Sequence, residues 1–222
     1  MAPVDVREAG TAALLVTFDT LDQVVAFRGA LLAARVPGVT EVVSGARTLL
    51  VRFDHHSTDA GRVRAALGSV RPEAAAGIPT VGGVPPVAVA PGSPVSPVAV
   101  PVTYDGEDLD AVAALTGMSV EAFVTWHTGQ VWTSAFCGFA PGFSYLTGTE
   151  PPLDLPRRAS ARTVVPSGSV ALAGEFSAVY PRASPGGWQL IGRTDVQMWS
   201  LDRDPPALAP AGTPLRFVVA DR

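Results

Sequence analysis

Phe136-Cys-Gly-Phe-Ala-Pro-Gly-Phe-Ser-Tyr-Leu146 decides how this chain is read, because aromatic pairs bounded by glycine flank a forced turn. Residues Val131 to Phe139 are rich in β-formers and predict a strand. Ala140-Pro141-Gly142 then suits a type II turn: Pro presets φ at the first central position and Gly accepts positive φ at the second. Phe143 and Tyr145 leave that turn on one face of the next strand. On pattern alone the stretch reads equally as a hairpin corner with core aromatics and as the edge of a binding groove.

Working outward, the chain after Trp132 alternates short β-like runs with Gly/Pro turns: Thr163 to Val165, Ser169 to Leu172, Trp188 to Gly192, Val196 to Ser200 and Leu215 to Val219. Short, regularly spaced strands predict a sandwich or barrel. Before the hairpin, Val98 to Tyr104 alternates into a strand. Asp108 to Thr116 and Val120 to Thr128 read as two short helices around Gly117-Met118-Ser119, with Ser119 as the second N-cap. This pair imitates a DNA-binding helix-turn-helix, but Glu107 to Thr133 holds only acidic charges and no Arg, the wrong sign for phosphates.

The first part of the chain has a different rhythm. Val4 to Phe18 predicts two short strands turning at Glu8-Ala9-Gly10. Leu21 to Val36 carries a helical apolar stripe, with Thr20 and Gln23 as a capping box and Pro37-Gly38 as its end. Glu41 to Phe53 predicts a hairpin at Ser44-Gly45, and Thr58 to Val70 a second helix. Hairpin, helix, hairpin, helix implies a small α+β domain of ferredoxin-like kind over residues 1–71. Residues 72–97 are rich in Ala, Pro and Gly and predict a linker, leaving 98–222 as the mainly-β domain.

Composition narrows the function. At 222 residues with 47% hydrophobic content, the chain can build real cores. A net charge of −4 argues against nucleic acid or an anionic membrane as partner. All 16 basic residues are Arg, which removes Walker-type, protein-kinase and Schiff-base lysines. The low-charge run from Ile78 to Thr103 is broken by Pro79, Pro85, Pro86, Pro91, Pro94, Pro97 and Pro101, so it predicts no membrane helix. The one cysteine, Cys137, allows no internal disulfide and fits a reducing compartment, and Met1 to Gly10 lacks a signal-peptide pattern. The expected location is the cytoplasm.

Candidate site residues follow from residue chemistry. Arg157, Arg158 and Arg162 form a basic cluster suited to bidentate contacts with an anion, or else pair with nearby acids such as Asp154. Pro166-Ser167-Gly168-Ser169 presents successive N–H groups and two hydroxyls, as an anion-binding nest or a plain turn does. Ser184-Pro185-Gly186-Gly187-Trp188 allows close approach of a ligand or backbone beside an indole wall. His127, near a helix end, is the one histidine with a plausible role in acid–base or orienting work; a helix C-terminus alone also favours it. His55 and His56 lack ligand spacing, so no metal site is expected. Cys137 reads as a small core residue.

The opening stretch, Pro156-Arg-Arg158 with Arg162, Val165-Pro-Ser-Gly-Ser-Val170, Tyr180-Pro181 and Ser184-Pro-Gly-Gly-Trp-Gln-Leu-Ile-Gly-Arg-Thr194 occur in the order of a known family. The chain resembles the B subunit of bacterial 5-oxoprolinase, also called allophanate hydrolase subunit 1 or the Kip-type kinase inhibitors. The resemblance implies an α+β N-terminal domain followed by a mainly-β, cyclophilin-like barrel domain. It further implies a component of an ATP-dependent amidohydrolase, inactive alone, with ATP and Mg shared with a second chain of the 5-oxoprolinase C subunit or allophanate hydrolase subunit 2 type. A third protein, of the 5-oxoprolinase A subunit type, completes the lactam-opening system. Histidine-kinase inhibition and a carboxyltransferase module of a urea carboxylase-like system are the alternatives within the same family. Site residues implied are Phe139, Pro141, Gly142, Phe143, Tyr145 and Tyr180 together with the arginines, Ser167 to Ser169 and Pro185 to Trp188. One departure stands out: Glu175-Phe176-Ser177-Ala178 replaces a Gly-Gln-Thr-Gly-like segment, which weakens the carry-over of lactam specificity.

Overall fold

The computed structural model describes residues 5–72 and 96–220. The chain divides into two compact units, Met1–Pro85 and Pro86–Arg222. Most of the expected linker, residues 73–95, lies outside the described residues.

In the first unit the elements run β1 (Asp5–Glu8), β2 (Ala13–Thr17), α1 (Leu21–Ala34), β3 (Val39–Ser44), β4 (Thr48–Phe53) and α2 (Ala60–Ser69). All pairings are antiparallel, in the order β1-β2-β4-β3. A hairpin joins the edge strand β1 to β2. Leu14 and Val16 face the same side as their partners Val51 and Leu49. There they pack against Val24, Phe27 and Leu31 of α1 and Val63 and Leu67 of α2.

The helix ends follow local chemistry. The Thr20 hydroxyl accepts from the Gln23 N–H at 3.3 Å, while the Gln23 amide reaches past the cap to the Asp19 N–H at 2.9 Å. The capping box is therefore shifted back by one residue on its return arm. Helix α1 stops at Ala34, before the predicted Val36, because Arg35 turns left-handed at φ 45°.

The second unit contains β5 (Val98–Val102), α3 (Leu109–Thr116), α4 (Val120–Gly129), β6 (Trp132–Cys137), β7 (Ser144–Gly148), β8 (Arg162–Val165), β9 (Ser169–Ala173), β10 (Phe176–Val179), β11 (Ser184–Gly186), β12 (Gln189–Arg193) and β13 (Pro214–Val219). Seven strands form one sheet in the order β12-β9-β10-β7-β6-β13-β5, and β8 pairs with β11 in a separate ribbon. Just past β5, Thr103 exchanges two 2.9 Å backbone hydrogen bonds with Arg193, tying the two outermost strands together. The sheet is thus a nearly closed barrel, which removes exposed strand edges. Gly192 is needed at that seam, since a Cβ there would stand 2.5 Å from the Thr103 carbonyl oxygen.

Residues from all seven barrel strands, among them Val100, Trp132, Leu146, Val170, Val179, Ile191 and Phe217, fill the interior with Leu109, Val112 and Phe123 of the two helices. Alternate positions on the same strands, Tyr145, Ala171, Ala173, Ala178 and Leu190, belong to a second cluster with Phe143, Val165, Tyr180 and Trp188. A run such as β9, buried at all five positions, is what a strand covered on both faces requires.

Strand positions also differ from expectation. Val196 to Ser200 forms no strand: Met198 is buried, and only an isolated bridge joins Trp199 to Ala207. Conversely β10 lies in a stretch without a β-run in the sequence. It forms because Gly174, at φ 56°, and Glu175 make a two-residue turn that folds Phe176 back onto Ala173.

The Ala140–Phe143 turn is closed by the Phe143 N–H donating to the Ala140 carbonyl at 2.9 Å, with Gly142 at φ 83°. A Cβ on Gly142 would lie 2.7 Å from the Trp199 Cβ and 3.1 Å from the Met198 carbonyl. Gly142→Ala therefore combines backbone strain with overpacking and is expected to cost about 1–3 kcal/mol. Gly10→Ala, at φ 75° but facing open space, is expected to cost less. Urea denaturation of both variants checks the order.

Candidate functional site

The β6–β7 hairpin carries the aromatic face. Phe136 and Tyr145 are cross-strand partners with rings stacked 4.3 Å apart. Phe143 packs edge-on against Tyr180 at 5.3 Å and Trp188 at 5.5 Å, and Tyr145 meets Trp188 and Phe176, each at 5.6 Å. Such edge-to-face contacts fix ring orientation beyond simple burial. Phe139 is the exception: it is 59% exposed and sits at φ 67°, a conformation rarely adopted by a bulky residue. A tight turn holds it, the Ala140 N–H donating to the Gly138 carbonyl at 2.7 Å, and its ring leans on Phe143 and Tyr180.

The expected groove is thus only partly open. Phe143, Tyr180 and Trp188 are buried and form the packed floor, while Phe139, Tyr145 and Phe176 reach the surface. Gly186 is required beneath Tyr180, whose hydroxyl would lie 2.3 Å from a Cβ there. Burial raises the Tyr180 pKa; a hydrogen bond from the Trp188 backbone N–H and the nearby charge of Arg157 draw it back in part. Burial likewise raises the Tyr145 pKa, again opposed by Arg157. Pro185 is exposed on β11, and the Gly187 carbonyl accepts the Arg158 N–H at 2.8 Å.

The basic cluster is split by its partners. Arg162 donates to both oxygens of Asp108, at 3.0 and 2.9 Å, and to Glu107 at 3.0 Å; Arg158 also donates to Asp108. The acids paired with these arginines are therefore Asp108 and Glu107, not Asp154. Asp108 is only 4% exposed and accepts in addition the Leu190 N–H at 2.7 Å. Burial pushes its carboxyl up, but the bonds from Arg162 and Leu190 and the charges of Arg162 and Arg158 outweigh that and hold it below the usual range. Spending its carboxylate this way, Asp108 makes no side-chain cap for α3. Arg157 has no carboxylate partner among the described residues.

The nest reading of residues 166–169 gives way to a turn. The Gly168 N–H donates to Tyr180 at 2.8 Å, the Ser169 N–H to Pro166 at 3.4 Å and the Ser167 hydroxyl to Pro181 at 3.0 Å. Donors already used in this way are not offered to an anion. His127 is also corrected: it is fully buried inside the barrel, stacked 4.4 Å from Phe217. Its ring nitrogens bond the Tyr104 hydroxyl at 2.7 Å and the Ser177 hydroxyl at 3.1 Å, and burial pushes its pKa down to about 3. A neutral, enclosed imidazole is a structural linker rather than an acid–base group or a helix-end cation. Ser177 of the divergent 175–178 segment faces this interior partner, whereas Phe176 and Ala178 lie with the aromatic cluster.

Sequence reasoning missed Asp108 because its arginine partners lie 50 and 54 residues away. The available signal was the complementarity of an Arg-free acidic stretch and the Arg cluster. It also passed over Asp54, which with His55 and His56 brings three metal-competent donors within 4.8 Å of one another in the first unit. Among the described residues no single helix is long and apolar enough to cross a membrane.

Residues 4–209 match the family described as carboxyltransferase domain, subdomain C and D, and the chain belongs to that family. It is 44% identical over 122 residues to the 5-oxoprolinase B subunit of Escherichia coli O157:H7, covering 54% of this chain and 56% of that protein. Identity to the 5-oxoprolinase B subunit of Bacillus subtilis is 41% over 124 residues, covering 54% and 52%. The chain thus spans about half the length of the curated relatives it matches. Among solved structures, TTHA0988 superposes with a TM-score of 0.72 at 31% identity, over 95% of this chain and 40% of that one. PH0987 from Pyrococcus horikoshii gives 0.54 at 28% identity, over 98% of both chains. Urea carboxylase of Kluyveromyces lactis shares the fold, with a TM-score of 0.67 at 16% identity over 97% of this chain and 22% of that one.

Two stability outcomes follow. Asp108→Asn leaves the largely buried Arg162 without its main charge partner and is expected to cost about 3 kcal/mol or more, read by urea denaturation at neutral pH. For His127, an unfolded pKa near 6.5 and a folded one of about 3 mean that only the unfolded chain binds the proton between those values. Stability from this group is complete above pH 6.5 and is lost as pH falls toward 3. His127→Gln should flatten the stability–pH slope between about pH 6.5 and 4.5; an unchanged slope would reject the assignment.

Proposed function

We propose that this chain is the B-type component of a heteromeric, ATP-dependent amidohydrolase that opens a lactam or amide, with 5-oxoproline or allophanate as substrate type. The observation that carries this reading is the identity above 40% to two proteins named as the B subunit of 5-oxoprolinase. The aromatic face belongs to a barrel that we assign to the cyclophilin-like kind. In this reading the barrel supplies one wall of the site: Phe139, Tyr145 and Phe176 on a rigid floor, with Arg157 beside them. ATP, with Mg, is handled together with a second chain of the 5-oxoprolinase C subunit or allophanate hydrolase subunit 2 type, and a protein of the A subunit type completes the lactam reaction.

Physical reasons support this division. The sequence has no Walker-type lysine, and its best acid–base candidate, His127, is enclosed and neutral. Amide hydrolysis driven by ATP needs phosphate handling and water activation, so these are assigned to the partner. A carboxyltransferase module is the second reading, favoured by the description of the family. It requires a biotinylated partner, because this chain contains no lysine.

The deciding assay mixes this chain with candidate partner subunits and follows ATP hydrolysis with 5-oxoproline, allophanate or urea. Little turnover by the chain alone and substrate-dependent turnover on adding partners is the expected result. Full 5-oxoproline-dependent hydrolysis by the isolated chain would refute the shared site; turnover only with urea and a biotinylated partner would favour the second reading.

A further inference from the structure

The three clustered arginines have different surroundings, and this assigns them different work. The Pro156 carbonyl accepts from the Gln189 side-chain amide at 2.9 Å, and the Arg158 N–H donates to the Gly187 carbonyl at 2.8 Å. Arg157 is therefore held between two anchors on the segment that carries Trp188. Arg158 turns to Asp108, with Arg162 joining it there. Arg157 is exposed beside the Gly187–Gln189 segment, and its charge reaches the phenols of Tyr145 and Tyr180. Tyr145 is half-buried, and its phenol is a hydrogen-bond donor of the aromatic face.

We propose that Arg157 is the carboxylate anchor of the aromatic face, taking the anionic end of a small planar substrate whose body lies along Tyr145. A planar guanidinium without an acidic partner among the described residues offers a two-pronged donor matched to a carboxylate, and the Tyr145 phenol supplies a further donor. Arg158 and Arg162, already neutralised by Asp108 and Glu107, are positioning residues: they hold the segment and do not meet the ligand. The inference rests on reading the chain as part of an amide-hydrolysing complex, and deepens it by naming what the site recognises. A carboxylate from an Asp or Glu of the partner protein is the competing source of the same chemistry.

The test uses the chain assembled with its partner subunits and compares 5-oxoproline with its primary amide, which keeps the ring and lacks the acid. Arg157→Gln should raise KM for 5-oxoproline about 10- to 100-fold, the range of a lost charge-assisted contact, with kcat changing less. Arg157→Lys, which keeps the charge without the fork, should recover part of the loss. Equilibrium binding to the same assembly, which needs no turnover, should show the acid held at least about tenfold tighter than the amide, and Arg157→Gln should erase that preference. Equal binding of acid and amide by the wild type overturns the anchor, even where ATP is consumed. Weakened assembly of the complex with an unchanged KM assigns the arginine to a partner carboxylate and also overturns it. Preserved preference without any ATP turnover leaves the anchor standing and defeats the functional reading instead.

Discussion

The barrel unit depends on one buried carboxylate. Asp108 stands at the start of α3 and accepts from Arg158, Arg162 and the Leu190 backbone, joining a helix end, a barrel strand and the segment before β8. Taking this charge out of water is offset only because several donors meet it at once. The same contact leaves Arg157 as the arginine of the cluster that Asp108 does not engage, its charge acting on Tyr145 and Tyr180. A structural ion pair thereby sets Arg158 and Arg162 apart from Arg157.

A second constraint is closure. The Thr103–Arg193 bridge joins the ends of the seven-stranded sheet, and Gly192 and Gly106 allow the chain segments to approach there. Closure separates an inside, where His127 is sealed among Phe217, Trp132 and Phe123, from an outside covered by the aromatic cluster. The strained Phe139 marks its edge, held in a left-handed turn by ring contacts with Phe143 and Tyr180. Strain at an exposed aromatic is consistent with a surface shaped for contact.

Much of the fold was legible in the residues. The Pro141-Gly142 turn, the Thr20 and Ser119 caps and the Ser44-Gly45 hairpin follow from dihedral preference and short-range hydrogen bonding, which act over a few residues. The strand β10 was not legible, because it depends on a turn at Gly174 and on packing against β9 and β7. The candidate site was half legible. Its aromatic residues and Arg157 were in view, but Ser167 to Ser169 and His127 were drawn in by residue type and excluded by where their hydrogen bonds go.

By itself, then, the sequence determined the sharp hairpin and the inventory of groups, including the absence of lysine. These depend on composition and on forces between near neighbours. Only the tertiary structure decided which face each group occupies and which charges cancel: Asp108 with Arg158 and Arg162, His127 between Tyr104 and Ser177. Burial and pairing between residues 23 to 54 positions apart set those outcomes, and no local pattern encodes them.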